Sequence, residues 1–304
     1  MKNKKFYIIS ALLFYFLSFN AYSVEQFNFD VTEIQIIENG NKFIGLKRGK
    51  IKTNDGIIID ADNFEYDKTL NILKANGDVK ITDNINNYII NTQNIEYIKN
   101  KDLILTKEES YALSLNDNIT ISANDFTYDR QKKTIVADKN VEINNKFEDY
   151  EIFSDSITYL ISKEIIYTKG KTSAKIHSKY NFKSDDVTFY KKSMTLASEK
   201  KTTITDKSNL YNLSKFIYSI NNEELKGEEI VIISKYKLPT SDTFYFSSAV
   251  INLKSRVFLS KDIELKVHKS IFGNENNDPR IKGISATGDD DKTIINKGIF
   301  TSCK

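Results

Sequence analysis

Apolar and polar positions alternate in short runs along this chain, and the alternation slips by one residue at the same place in each run. Ile59 and Ala61 stand two apart; Phe64 and Tyr66 also stand two apart but on the opposite parity, with the polar pair Asp62-Asn63 between them. The pattern is filled again by Ile90, Thr92, Ile95 and Tyr97, by Ile121, Ala123, Phe126 and Tyr128, and by Ile152, Ser154, Ile157 and Tyr159. The closing tyrosines Tyr66, Tyr97, Tyr128 and Tyr159 lie 31 residues apart. Looser copies follow at Phe182, Ser184, Val187 and Phe189, at Tyr211, Leu213, Phe216 and Tyr218, and at Phe246, Ser248, Ile251 and Leu253; a first copy fits Phe29, Val31, Ile34 and Ile36.

Alternation with a period of two is what a half-buried strand requires, and no sustained spacing of three and four marks a helix in the chain beyond its first segment. Turn-forming stretches at Asn54-Asp55-Gly56, Asn76-Gly77, Asp138-Lys139 and Lys169-Gly170 divide each unit into two strands. A one-residue slip moves every later side chain to the other face, so a bulge or bend must absorb it. The slip falls in Asn, Asp, Ser or Gln each time: Asp62-Asn63, Gln93-Asn94, Asn124-Asp125, Asp155-Ser156 and Asp185-Asp186. The prediction is an all-β solenoid of bent antiparallel strands with a period of about 31 residues. Single rungs cannot bury their own apolar face, so the stack closes only by repetition and its inner faces line a continuous apolar trough. A parallel β-helix is the alternative, which the pattern separates weakly.

The trough positions are the candidate functional residues: Ile59, Ala61, Phe64, Ile90, Ile95, Ile121, Ala123, Phe126, Ile152, Ile157, Phe182, Val187 and Phe216. Such a groove suits an acyl chain crossing water, since each buried methylene is worth about 0.8 kcal/mol. Small residues beside large ones, as at Ala61, Thr92, Ala123, Ser154 and Ser184, leave room in it; an ordinary dry core is the competing reading of every one of these positions. Lys99 is expected to face water. Unpaired strands at the ends of the stack invite another chain to add on.

Charge and composition narrow the picture further. The formal net charge of +3 is made from 44 basic and 41 acidic residues mixed along the chain, with no basic stripe of the kind that nucleic-acid binding needs, so no nucleic-acid partner is expected. His177 and His268 are the chain's two histidines, 91 residues apart; both read as surface residues on strands, and no metal site is expected. Asp289-Asp290-Asp291 lacks the EF-hand spacing and reads as a solvated acidic loop. No phosphate loop, nucleophile elbow or zinc-protease motif is present, so no catalytic residue, enzyme activity or cofactor is expected.

Met1 to Ser23 combines Lys2, Lys4 and Lys5, an apolar stretch from Phe6 to Phe19 and small residues at Ala21-Tyr22-Ser23. It is the pattern of a secretory signal peptide, cleaved between Ser23 and Val24, and its apolar stretch is short of the roughly 20 residues that span a bilayer. An exported chain with the single cysteine Cys303 cannot form an internal disulfide, and that thiol calls for an outside partner or a missing downstream segment.

The rung Gly56-Ile57-Ile58-Ile59-Asp60-Ala61-Asp62-Asn63-Phe64-Glu65-Tyr66-Asp67, followed by Leu70 to Val79 with Ala75, Gly77 and Val79, resembles the OstA-like repeat shared by the lipopolysaccharide-transport proteins LptA, LptC and LptD. The resemblance spans nearly the whole chain after the signal peptide. It implies an elongated β-jellyroll that binds lipopolysaccharide in the periplasm, in association with the outer membrane, and passes it on without covalent chemistry. The number of rungs and the tail, from Asp278-Pro279-Arg280 to Cys303, are similar to the periplasmic N-terminal part of LptD. On that basis residues 24–270 form the jellyroll and 271–304 a junction that would lead to an outer-membrane barrel. The barrel itself does not follow Lys304, which suggests a fragment of a longer protein or a split gene. The resemblance further implies other OstA-like periplasmic proteins as partners through edge strands, an outer-membrane lipoprotein and barrel, and a disulfide from Cys303 to a residue outside this chain. A stand-alone LptA-like bridge, and a structural or adhesive secreted solenoid without lipid, remain the alternatives, with an esterase or lyase on a β-helix a weaker third.

Overall fold

The structure, a computed structural model, describes residues 27–272 and 277–302. The expected signal peptide, the expected cleavage site between Ser23 and Val24, and Cys303 therefore lie outside the described residues. Within them the chain is all β: twenty-seven strands and five short 3-10 turns, with no α-helix. No helix is long and apolar enough to cross a membrane, a statement that does not bear on β-barrels.

Every strand pairing is antiparallel, which excludes the parallel β-helix among the described residues. The pairings resolve into two continuous ladders. Ladder A begins Asn28–Val31, Gly49–Lys52, Ile57–Ala61 and then takes residues 79–83, the second half of the strand Ile72–Asp83. Ladder B begins Ile34–Ile37, Lys42–Gly45, Asn63–Asp67 and takes residues 72–76, the first half of the same strand. Long strands such as Ile72–Asp83, Tyr88–Ile98, Thr134–Asn145, Tyr150–Leu160 and Ile165–Ile176 belong to both ladders and bend between them.

The bend follows the sequence slip. In Tyr88–Ile98 the buried positions are 88, 90 and 92, then 95 and 97, and Tyr150–Leu160 repeats this with 150, 152 and 154, then 157 and 159. The partner strand Ile72–Asp83 carries two residues, Gly77 and Asp78, opposite the single Gln93, so its own parity is preserved. Here the structure corrects the sequence reading: Asn76-Gly77, Asp138-Lys139 and Lys169-Gly170 are not turns separating strands but bulges inside long strands. Gly77 (φ +79°) and Gly170 (φ +80°) sit in the left-handed region, where a Cβ would also fall 2.6 Å from an Oδ2 of Asp62 and of Asp155 respectively. Glu108 (φ 72°) and Lys139 (φ 66°) hold the same conformation without that freedom.

The ladders lie face to face. Tyr88 of ladder A packs on Tyr128 of ladder B at 5.9 Å, Tyr150 on Phe189 at 5.1 Å, Phe182 on Tyr218 at 4.9 Å and Phe246 on Phe258 at 5.4 Å. One apolar cluster runs between them from Phe27 to Ala286. Aromatic rings at these separations add to the area they bury, so each contact ties one ladder to the other.

Two copies of the pattern depart from expectation. Ile34 and Ile36 are exposed, because Ile34–Ile37 is the end strand of ladder B and pairs on one side alone; Phe29 and Val31 are half-buried. In Thr243–Asn252 the slip falls two residues earlier than expected, between Phe246 and Ala249, so that Ala249 rather than Ser248 takes an interior place. At the other end of the stack Thr293–Asn296 and Ile299–Thr301 pair with Arg280–Gly288 alone. Both ends thus present strands with an open edge among the described residues.

Candidate functional site

The interior has two long edges, and the residues at each follow from what the backbone does there. At the bend the chain passes covalently from one ladder to the other, and the bulge interrupts the ladder hydrogen bonds. Small hydroxyl side chains fill the space. Ser110 Oγ donates to Thr92 Oγ1 at 2.9 Å and lies 2.7 Å from Thr106 Oγ1; Thr168 and Thr172 pair at 2.7 Å, and Ser184 and Thr202 at 2.8 Å. Thr106 and Thr168 also accept the backbone N–H of Phe126 and Val187, groups the broken ladder leaves without strand partners. The repeated small residues noted in the sequence therefore serve the bend.

At the opposite edge, the seam, both ladders end in turns and nothing covalent joins them. Ladder A contributes the turns holding Asp55, Asp83, Asp117 and Asp206; ladder B contributes Lys99, Asp102, Arg130, Glu164, Lys191, Glu223 and Arg256. Ion pairs cross between them. Arg130 is the most buried of the cations, 4 % exposed: its Nε donates to Asp83 Oδ2 at 2.8 Å, and its Nη1 to Asp102 Oδ1 at 2.7 Å and Asp55 Oδ2 at 3.0 Å. Tyr128 donates to the same Asp83 oxygen at 2.8 Å, and Lys99 donates to Asp55 and to the hydroxyl of Tyr97. Further along, Lys191 bridges Asp117 and Glu164, Tyr180 donates to Glu223 at 2.7 Å, and Arg256 donates to Asp206 at 2.6 Å and to Tyr211.

Burial shapes the titration of these groups. Desolvation by itself would raise the carboxyls of Asp55, Asp83 and Asp206, but the hydrogen bonds from Lys99, Arg130 and Arg256 outweigh it and hold all three below the usual carboxylate range. Asp83 and Asp206 in addition accept two backbone N–H groups each, from Ile85 and Asn86 and from Ser208 and Asn209. Burial pushes the Tyr211 phenol up to about 12.

Near Arg256 the interior opens. A cavity of about 400 Å³ lies between the ladders, walled by Ile232, Phe244, Phe246, Ile251 and Phe258, with Arg256 and Asp290 among the polar residues that line it. It has an apolar wall on one side and a polar, charged one on the other, where Ser208, Asn209, Lys235, Asp242 and Asp289 join Arg256 and Asp290.

The thirteen predicted trough residues, from Ile59 to Phe216, are all interior, none more than 5 % exposed, and all belong to the one apolar cluster. None of them lines the chamber at the C-terminal end, whose walls come from segments where the repeat is loosest. Lys99, expected to face water, instead lies in the seam with its side chain 15 % exposed, drawn in by Asp55. His177 and His268 sit in turns rather than on strands, His177 with its Nδ1 4.0 Å from Glu223. Asp289 caps the turn before Thr293–Asn296 by accepting the N–H groups of Asp291 and Lys292. No group of acidic, histidine or cysteine residues among those described is arranged to hold a metal ion.

The seam residues were not singled out by the pattern. Their signal was faint but present: Arg130 and Arg256 are two of the few arginines in a lysine-rich chain, each placed directly after or between strands. Arginine's planar, multiply donating head suits a buried site with several carboxylates better than lysine's point charge.

Neither a scan of protein families nor a search of curated proteins finds a match to this sequence. Among solved structures, the chain is similar to LptH of Pseudomonas aeruginosa, the LptA-homologous periplasmic component of a lipopolysaccharide transport device. That similarity has a TM-score of 0.35 and 14 % identity, covering 37 % of this chain and 81 % of LptH.

Proposed function

We propose that this chain is a periplasmic β-jellyroll of the OstA-like kind, associated with the outer membrane, that carries lipopolysaccharide along the apolar interior between its two ladders. The observation that carries the reading is the interior itself: bent strands shared by two facing ladders enclose one apolar column, which widens into the chamber at Phe244, Phe246 and Phe258. The repeat motif around Ile57–Tyr66 and Ala75–Val79 supports it from the sequence side. Residues 271–304 are read as the junction of an LptD-like protein, and Cys303 as its disulfide residue toward another chain. An LptA-like bridge, joined to related jellyrolls through the open strands at either end, is the closest alternative; Ile34–Ile37 and Ile299–Thr301 supply the edges it needs.

A second reading has its own support. From Ile57 to Ile220 the interior is packed with near-zero exposure, as a structural solenoid without lipid would be. In-cell photocrosslinking separates the two, with the reactive residue placed inward at Phe64, Phe126, Ile157 or Phe246 and outward at Tyr167 or Ile217, both exposed. Lipopolysaccharide adducts confined to the inward positions are the expected result. Adducts at none of them would leave the dry solenoid standing. Adducts at Phe246 alone would restrict lipid contact to the chamber.

A further inference from the structure

We propose that the seam is a lateral gate: the two ladders open about the bends, and the ion pairs across the seam are latches that hold the gate shut. The inference rests on how the polar groups are distributed. At the bend the ladders are hinged by bulged strands, with interrupted backbone pairing and exchangeable hydroxyl contacts through Thr92, Thr106 and Ser110. A bulge bends a strand locally and leaves its ladder disrupted, which concentrates flexing there. Directly opposite, four ion pairs join the end of a ladder A strand or turn to a ladder B turn: Asp55 to Lys99, Asp83 to Arg130, Asp117 to Lys191, Asp206 to Arg256.

Apolar side chains would have closed this edge at less cost, since a buried ion pair seldom outperforms a packed hydrophobic one of similar volume. Charged crossings have another property: they are specific, they break as units, and they re-form in one register. They are long-range contacts rather than local ones: Asp55 and Arg130 are 75 residues apart and Asp117 and Lys191 74.

The latches are graded. At the Arg130 crossing two cations meet three carboxylates, and Arg130 and Asp83 are 4 % and 1 % exposed. At the Arg256 crossing one cation meets one carboxylate, Arg256 is 20 % exposed, and the chamber lies against it. Opening therefore begins at the Arg256 end, where the interior is already widened, and proceeds toward Arg130. If lipid is the cargo, as proposed above, an acyl chain enters sideways at the chamber and the headgroup stays outside the seam.

The gate is testable without any lipid. In the full chain with Cys303→Ser, spin labels are placed in two pairs on exposed positions across the seam, at Ile85 and Lys101 for the first crossing and at Lys207 and Ser255 for the last. Pulsed dipolar distances are then compared in the parent and in Arg256→Gln and Arg130→Gln. The expected result is a shift of the Lys207–Ser255 distance to a longer population in Arg256→Gln, with strand content by circular dichroism unchanged. Arg130→Gln should lengthen the Ile85–Lys101 distance, and if it fails to fold the Arg256→Gln pair decides alone. Unchanged distances in folded Arg256→Gln would overturn the gate. Purified lipopolysaccharide added to the parent forms a second arm. Variants that open while the parent does not respond to lipopolysaccharide keep the gate and remove the transport reading. A longer Lys207–Ser255 population in the parent on adding lipopolysaccharide supports both.

Discussion

The bend and the seam are the two long edges of one interior, and they solve the same problem in opposite ways. Each must place polar groups against an apolar column. At the bend the strand itself crosses, so neutral hydroxyls suffice to satisfy the few amides the bulge frees, as Thr106 does for Phe126. At the seam the ladders end, so the crossing must be made by side chains, and the fold uses full charges buried to a degree the bend never approaches. The difference teaches that covalent continuity decides where a β-roll needs strong polar contacts: where the backbone joins two layers, weak ones serve.

Breaking the strongest crossing gives the largest expected effect. Arg130→Met leaves Asp83 buried without its cation, a change that costs about 3–5 kcal/mol. It should lower the thermal midpoint by roughly 10 °C, read by circular dichroism at pH 7. A loss under about 1 kcal/mol would show that the seam is already open in solution. The same crossing has a pH signature. Asp83 is held below its ordinary pKa when folded, so its contribution is fully present above the unfolded carboxylate value near about 3.9 and is lost as pH falls through the folded value. Urea midpoints should hold level from neutral pH to about 5 and then fall, with a shallower acid limb in Asp83→Asn.

The bend is tested next by Gly77→Ala. The residue has φ +79°, and the new Cβ would meet Asp62 at 2.6 Å, so a loss of about 1–3 kcal/mol in urea unfolding is expected. Arg256→Met, at the exposed end of the seam, should cost less than Arg130→Met, about 1–2 kcal/mol. Equal costs at the two crossings would remove the gradient between them. The smallest effect has the opposite sign: Glu108→Gly relieves a left-handed residue at a bend and should raise stability by roughly 0.5 kcal/mol.

Much of the fold could be read from the chain. The positions Ile90, Thr92, Ile95 and Tyr97 fall inside, on the two parities their spacing implied, because a slip of one residue has one cheap resolution in a sheet. The rung that misread, with Ala249 inside instead of Ser248, lies where the repeat has drifted and both residues are small enough for either side. The turns assigned at Asn76-Gly77 and Lys169-Gly170 misread for a different reason: left-handed glycine serves a bulge as well as a turn, and the local sequence does not distinguish them.

The sequence by itself determined what repeats: strand alternation, the site of the bend, and which apolar residues face inward. These are local consequences of chain geometry, so a single rung carries them. The seam was decided by the tertiary structure alone. Asp55, Asp83 and Arg130 are spread over 75 residues, and in the sequence each is an ordinary charge at a strand end. Only when the ladders face each other do those ends meet, and only burial there, where a charge without its partner is costly, makes the pairing matter.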